Sequence, residues 1–168
     1  KAVVWTDFAQ FLILAAGFGL DVSSGLELQS ALDLKADNIL FSGPGKTRAE
    51  LKLAVDYYQR VTVLVDSFRE LEQLAAIAAE RRAVVRAGVR LTTNPDGLWR
   101  KFGILPEQLP EFHLAAQKCS HVALQGIQFH TSWNLDPSAQ VAFIEKLGGL
   151  LSGMPQSFLR QLGFIDIG

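Results

Sequence analysis

The sequence predicts an α/β protein built on a parallel sheet, and three observations carry that reading. Short apolar runs alternate with longer amphipathic stretches along all 168 residues. The apolar runs are β-branched or apolar on both faces, as strands covered on both sides are. The amphipathic stretches open on residues that start helices, and that alternation is the pattern of repeated strand–helix units.

Taken in order, residues 2–4 offer a first short strand and 7–16 a helix. Residues 19–22 form a weaker strand, followed by a helix over 25–33. The clearest strands are 38–41, 61–65, 84–91, 122–129 and 164–167. Between them the helical pattern covers 47–58, 67–80, 106–118 and 137–151. Ser67 precedes a first turn containing Glu70, a capping-box spacing, and Pro106 and Pro137 suit early helical positions. An open doubly wound sheet and a barrel both satisfy this order, and periodicity does not separate them. A complete eight-fold barrel takes about 250 residues, so a barrel here is an incomplete one. The chain starts on Lys1 and stops on Gly168 directly after a strand, and both ends are expected to be cut from a longer barrel.

Composition narrows the function classes. Apolar residues make up 49% of the chain and charged ones 20%, ordinary for a soluble domain. A formal charge of -1 gives no electrostatic reason to expect nucleic acid or an anionic membrane as partner. Cys119 is the one cysteine, so no disulfide forms within the chain, in keeping with a cytoplasmic location. The apolar run 8–18 is about half a membrane span and lacks the basic front of a signal peptide. No His, Cys or carboxylate set has metal-ligand spacing, so no metal site is expected.

In parallel α/β folds, sites form where strands end and loops begin. The polar residues there are Asp21, Ser23 and Ser24, then 42–46, Asp66, Arg90 with Thr92 and Thr93, and His130, Thr131 and Ser132. Gly168 follows the last strand. A guanidinium, an imidazole, a carboxylate and hydroxyls on one rim suit a small anionic ligand. Gly45-Lys46-Thr47 mimics the end of a nucleotide-binding P-loop, but that motif needs a glycine at position 40, where Leu40 stands inside a strand. His113 within a helix and His121 at a strand entry are less suited to chemistry than His130.

Six segments, in order, resemble the fold-type III pyridoxal-phosphate-dependent amino-acid decarboxylases, the ornithine/diaminopimelate/arginine decarboxylase family. They are Gly17-Phe18-Gly19-Leu20-Asp21-Val22-Ser23-Ser24 with Glu27-Leu28, then Ile39-Leu40-Phe41-Ser42-Gly43-Pro44 with Lys46-Thr47 and Glu50-Leu51. Val65-Asp66-Ser67 with Glu70-Leu71 follows, and then Val89-Arg90-Leu91 with Lys101-Phe102-Gly103-Ile104. The last two are Gly126-Ile127-Gln128-Phe129-His130 and Ile165-Asp166-Ile167-Gly168.

The resemblance implies an incomplete (β/α)8 TIM-type barrel of the alanine racemase/ornithine decarboxylase type, one partial domain over residues 1–168. It implies pyridoxal 5'-phosphate as cofactor, Lys1 as the lysine that holds it covalently, and His130 packed against its ring. It places Asp21, Glu27 and Arg90 in the same pocket and makes Gly168 the start of the phosphate loop. The family reads His-x-Gly-Ser where this chain reads His130-Thr131-Ser132-Trp133, so Ser132 takes the phosphate-binding role only if one residue is skipped. The C-terminal β domain, the acidic partner of the pyridine nitrogen and the cysteine and aspartate lent by a second subunit are expected beyond Gly168. The implied reaction is decarboxylation of diaminopimelate, ornithine, arginine, lysine or a siderophore precursor by a homodimer, with the fragment alone inactive. A non-catalytic regulatory homologue and an unrelated barrel that binds a sugar phosphate are the alternatives.

Overall fold

The computed structural model describes residues 13–93, 101–130 and 137–168. Six parallel strands, β1 (Leu20–Val22), β2 (Ile39–Phe41), β3 (Val61–Val65), β4 (Val85–Leu91), β5 (Val122–Phe129) and β6 (Phe164–Asp166), form one sheet in strictly sequential order. The helices are α1 (Gly25–Asp33), α2 (Arg48–Asp56), α3 (Phe68–Arg81), α4 (Leu109–Gln117), α5 (Ser138–Ser152) and α6 (Gln156–Gln161). A 3-10 turn at Pro106–Gln108 leads into α4.

That strand order decides between the two architectures. A doubly wound sheet reverses its order so that helices cover both faces. Here every crossover advances in one direction, and right-handed connections then keep all helices on one side. The sheet curls away from them into half of a TIM-type barrel, with its other face forming the lumen.

Alternation along each strand sorts side chains between the two faces. Val61, Val63 and Val65 of β3 and Val85, Ala87, Val89 and Leu91 of β4 join the helix-side core. The intervening residues face the lumen, where strand register sets Leu64, Gly88, Gly126 and Phe164 in one row across four strands. The Phe164 ring occupies the space that the two glycines leave: a β-carbon at Gly126 would stand 2.0 Å from its Cζ.

Strand β5 breaks the alternation once. Val122 and Leu124 lie in the helix-side core, as do Ile127 and Phe129. Register jumps from Ala87 opposite Leu124 to Gly88 opposite Gly126, so Gln125 is an extra residue, a β-bulge. Without it, the parity that buries Val122 and Leu124 would also send Gln128 toward the helices, and His130 with it.

Three strand–helix turns repeat one capping device. Ser24, Thr47 and Ser67 each accept a hydrogen bond from the backbone N–H three residues on, at Glu27, Glu50 and Glu70. Each glutamate then folds back. Glu27 accepts from the Ser23 N–H (2.6 Å), Glu50 from those of Thr47 (2.7 Å) and Gly25 (2.8 Å), and Glu70 from that of Asp66 (2.9 Å). These bonds satisfy donors that a helix start leaves unpaired, and they fix the loops that carry the rim.

The weaker strand expected at 19–22 is β1, and the other strands fall within a residue of their expected ends, β6 stopping at Asp166. The expected helix over 137–151 is followed by a second one, α6, absent from the sequence reading. The expected strand at 2–4 and most of the helix over 7–16 lie outside the described residues. No described helix is long and apolar enough to cross a membrane.

Candidate active site

The C-terminal ends of the six strands place the expected polar residues along one curved rim. Arg90 of β4, Gln128 of β5 and Asp166 of β6 share a row on the lumen face. Asp21 of β1 stands two rows nearer the strand entries, opposite Leu40 and level with Thr62 and Arg86. His130 follows β5 directly, and its carbonyl accepts a 3.1 Å bond from the Thr93 hydroxyl.

Asp21 reaches solvent through the lumen, yet the curved wall surrounds it. Loss of hydration on that wall raises its carboxyl above the ordinary range. Hydrogen bonding by Ser42 opposes the rise, Asp166 and Glu27 add to it, and Arg90 again opposes it. Those charged groups stand on β1, β4 and β6 and in the first turn of α1. Glu27 is less free than expected, because Ser23 binds its carboxylate through both N–H (2.6 Å) and hydroxyl (2.9 Å).

Gly168 adopts φ +92°, and a β-carbon there would stand 2.4 Å from His130 Nδ1. Only glycine fits beside that imidazole without displacing it. Its own N–H donates to Asp166 Oδ1 at 2.9 Å. Lys1 and Ser132 lie outside the described residues, as do Thr131 and Trp133.

Beneath the rim lies a charged cluster that the sequence reading did not assemble. Lys46 Nζ is 3.0 Å from Glu70 Oε1 and 4.0 Å from Asp66 Oδ2, with its side chain only 1% exposed. It also donates to the Leu64 carbonyl and lies 5.2 Å from the Phe41 ring centroid. The ammonium that mimics a P-loop lysine is thus held inside the wall. Asp66 Oδ1 is 3.8 Å from Arg90 Nε, and the Arg90 guanidinium lies 5.4 Å from the Phe102 ring centroid. Phe102 arrives on the 101–104 segment, where Ile104 bridges Leu91 and its N–H donates to the Arg90 carbonyl. Burial drives the Asp66 carboxyl up to about 6, against the pull of Lys46 and Arg90.

Gln128 is 5% exposed, and its Oε1 has no partner. Sequence order gave no sign of this, since the bulge at Gln125 decides which face it takes. A cavity of about 400 Å³ lies elsewhere, at the N-terminal end of β5, lined by His113, Cys119 and Gln161 among others. It holds none of the rim residues, and parallel barrels bind ligands at the opposite strand ends. No cluster of three metal-ligating side chains occurs among the described residues.

Residues 7–168 match the family described as pyridoxal-dependent decarboxylase, pyridoxal binding domain, and the chain belongs to that family. Among its relatives is a diaminopimelate decarboxylase of Archaeoglobus fulgidus. It is 32% identical over 170 residues, covering 94% of this chain and 40% of the relative. A 2-[(L-alanin-3-ylcarbamoyl)methyl]-2-hydroxybutanedioate decarboxylase of Staphylococcus aureus is 32% identical over 139 residues, covering 76% and 34%. The crystal structure of diaminopimelate decarboxylase from Helicobacter pylori, complexed with L-lysine, superposes with a TM-score of 0.80. It shares 24% identity and covers 95% of this chain and 43% of that one. The chain thus spans 40% or less of the length of these curated relatives.

Proposed function

We propose that this domain holds pyridoxal 5'-phosphate at the C-terminal rim of the half-barrel, in a protein that decarboxylates an amino acid. The observation that carries this reading is the contact between His130 and Gly168 at the ends of neighbouring strands. It puts an imidazole beside a backbone turn that only glycine can make, surroundings suited to a flat ring bearing an anionic group. Arg90 and Asp21 on the same rim, and the unpartnered Gln128 Oε1 below it, supply the polar surroundings.

When bound, the cofactor supplies an electron-accepting ring that stabilises the electron pair left as carbon dioxide departs. The chain's own residues bind and orient. His130 limits the ring on one side, Arg90 brings positive charge to the rim, and Lys1 offers the amine that a substrate amine displaces. Glu27 clamps the β1–α1 turn that carries Asp21. Ser132 and the turn at Gly168 are the phosphate-side contacts in this reading.

Residues 1–168 form one partial barrel domain in this proposal. The whole protein acts as a cytoplasmic homodimer, and residues beyond Gly168 complete the site. The relatives named above act on different substrates, so the proposal is to the class: a basic or dicarboxylic amino acid, or an amino-acid amide of the siderophore-precursor kind.

Adding pyridoxal phosphate, reducing with borohydride and mapping the peptides tests this. A stoichiometric label on the Lys1 side chain, distinguished by fragmentation from its α-amine, is the expected result. Scattered labelling of surface lysines, or none, would sink the assignment of Lys1.

A further inference from the structure

The charged cluster under the rim is more expensive than the wall requires. Replacing a buried ion pair by apolar residues of similar size is often neutral or stabilising, so burial of charge by itself is weak evidence of a stabilising role. Asp66 Oδ1 and Oδ2 are both sealed from solvent and accept from no side chain, the Gly103 backbone N–H being the one donor that favours the carboxylate. Burial outweighs its two cations in setting its protonation. An apolar residue would fill the same place at less cost. What distinguishes Asp66 is its position: Lys46 stands at one carboxylate oxygen and Arg90 Nε at the other.

Arg90 has no other ion-pair partner among the described residues. Its flat guanidinium meets Phe102 at 5.4 Å. The segment carrying Phe102 is pinned to the Arg90 backbone by the Ile104 N–H. One contact restricts the plane of the guanidinium and the other its Nε edge. Lys46 is itself immobilised by Glu70, whose second oxygen is bound to the Asp66 N–H.

We propose that the Lys46–Asp66 pair is a positioning device for Arg90, fixing the guanidinium at the cofactor rim although neither residue touches the cofactor. This rests on the reading of the rim as a pyridoxal phosphate site. Asp66 and Lys46 then govern cofactor affinity from beneath, as outer partners of metal ligands govern metal affinity. A structural role and a positioning role make opposite demands on Asp66→Asn. The substitution keeps shape while removing charge, so a wall residue would leave binding alone or lose it only together with the fold. A positioning residue would loosen the cofactor without loosening the fold.

The experiment titrates pyridoxal phosphate by absorbance into the intact protein and its Asp66→Asn and Asp66→Glu variants, with Tm measured on each cofactor-free form. The expected result is on the order of tenfold weaker binding in Asp66→Asn, with a Tm no lower than wild type and partial recovery in Asp66→Glu. Affinity within twofold of wild type overturns the positioning role. So does a parallel loss of affinity and Tm, which marks a structural residue. Wild type that fails to bind pyridoxal phosphate overturns the site reading and this inference together, whereas normal wild-type binding with an unchanged Asp66→Asn overturns only the latter.

Discussion

Gly168 and His130 meet across the ends of β6 and β5, so closely that a β-carbon on Gly168 would stand 2.4 Å from the imidazole Nδ1. The contact joins the two residues that the sequence singled out at the ends of those strands. It also makes each one's placement depend on the other.

Gly168→Ala is therefore expected to damage binding more than folding. The backbone at φ +92° strains any residue with a β-carbon by about 1–3 kcal/mol, and His130 must move to admit the methyl. Position 168 lies past the last strand and is exposed, so the core is untouched. Cofactor affinity should fall roughly tenfold, for about 1.4 kcal/mol of lost binding, with Tm changed by only a few degrees. An unchanged titration by pyridoxal phosphate would show that the turn contributes nothing to the site.

Gly126→Ala tests the lumen row in the opposite sense, as a stability effect. Its new methyl would collide with the Phe164 ring, 2.0 Å from the ideal β-carbon. Overpacking of this kind costs about 1–3 kcal/mol, so thermal unfolding should shift down by several degrees. Adding Phe164→Leu should recover part of that loss, since residues in contact are not additive. Equal losses in single and double variants would mean that the ring simply swings aside.

Much of this architecture was legible in the chain. Runs such as Val61–Val65, β-branched or apolar at every position, announce a strand covered on both faces, and Ser67 with Glu70 announces the start of α3. Strand order was not legible, because local periodicity carries no information about which strand pairs with which. The bulge in β5 was hidden for a related reason. Val122, Leu124, Gln128 and His130 share one parity in sequence, and only pairing with β4 shows that Gln125 divides them between two faces.

The rim was legible as a set of residue types at strand ends, and its supports were not. Lys46 looked like half of a P-loop, and Glu70 looked like a helix cap. Glu70 does serve the cap, but its other oxygen meets a lysine 24 positions earlier, which no local pattern predicts. Helix α6 was missed because six residues after Pro155 are too few for a helical period to show.

Lys46→Met should be among the most destabilising single substitutions in the wall. It leaves Glu70 and Asp66 buried without the cation that stands 3.0 and 4.0 Å away. Breaking a buried pair from one side typically costs about 3–5 kcal/mol. Lys46→Met combined with Glu70→Leu should lie above Lys46→Met alone in chemical denaturation, because one of the two stranded carboxylates is then gone and Asp66 keeps Arg90 nearby. A double variant no more stable than the single one would locate the loss in the Lys46 contacts with Leu64 and Phe41 instead.

Asp66 gives the pH dependence its sign. Its carboxyl titrates at about 6 in the folded protein, above the roughly 3.9 of an unfolded aspartate. The folded state therefore holds the proton more tightly, and stability falls as pH rises between those two values. Below about 4 both states are protonated and Asp66 contributes nothing to the slope; above about 6 its cost is constant. Asp66→Asn removes this titration but leaves every other group in place. The gap in Tm between Asp66→Asn and wild type, both cofactor-free, should widen in favour of the variant from pH 4 to pH 6.5 and stay level beyond. At this chain length each kilocalorie moves Tm by roughly 2–4 °C, so a gap of several degrees is measurable by calorimetry. A gap that is flat across the whole range would mean that Lys46 and Arg90 hold Asp66 ionised throughout, and that its charge stabilises the wall rather than straining it.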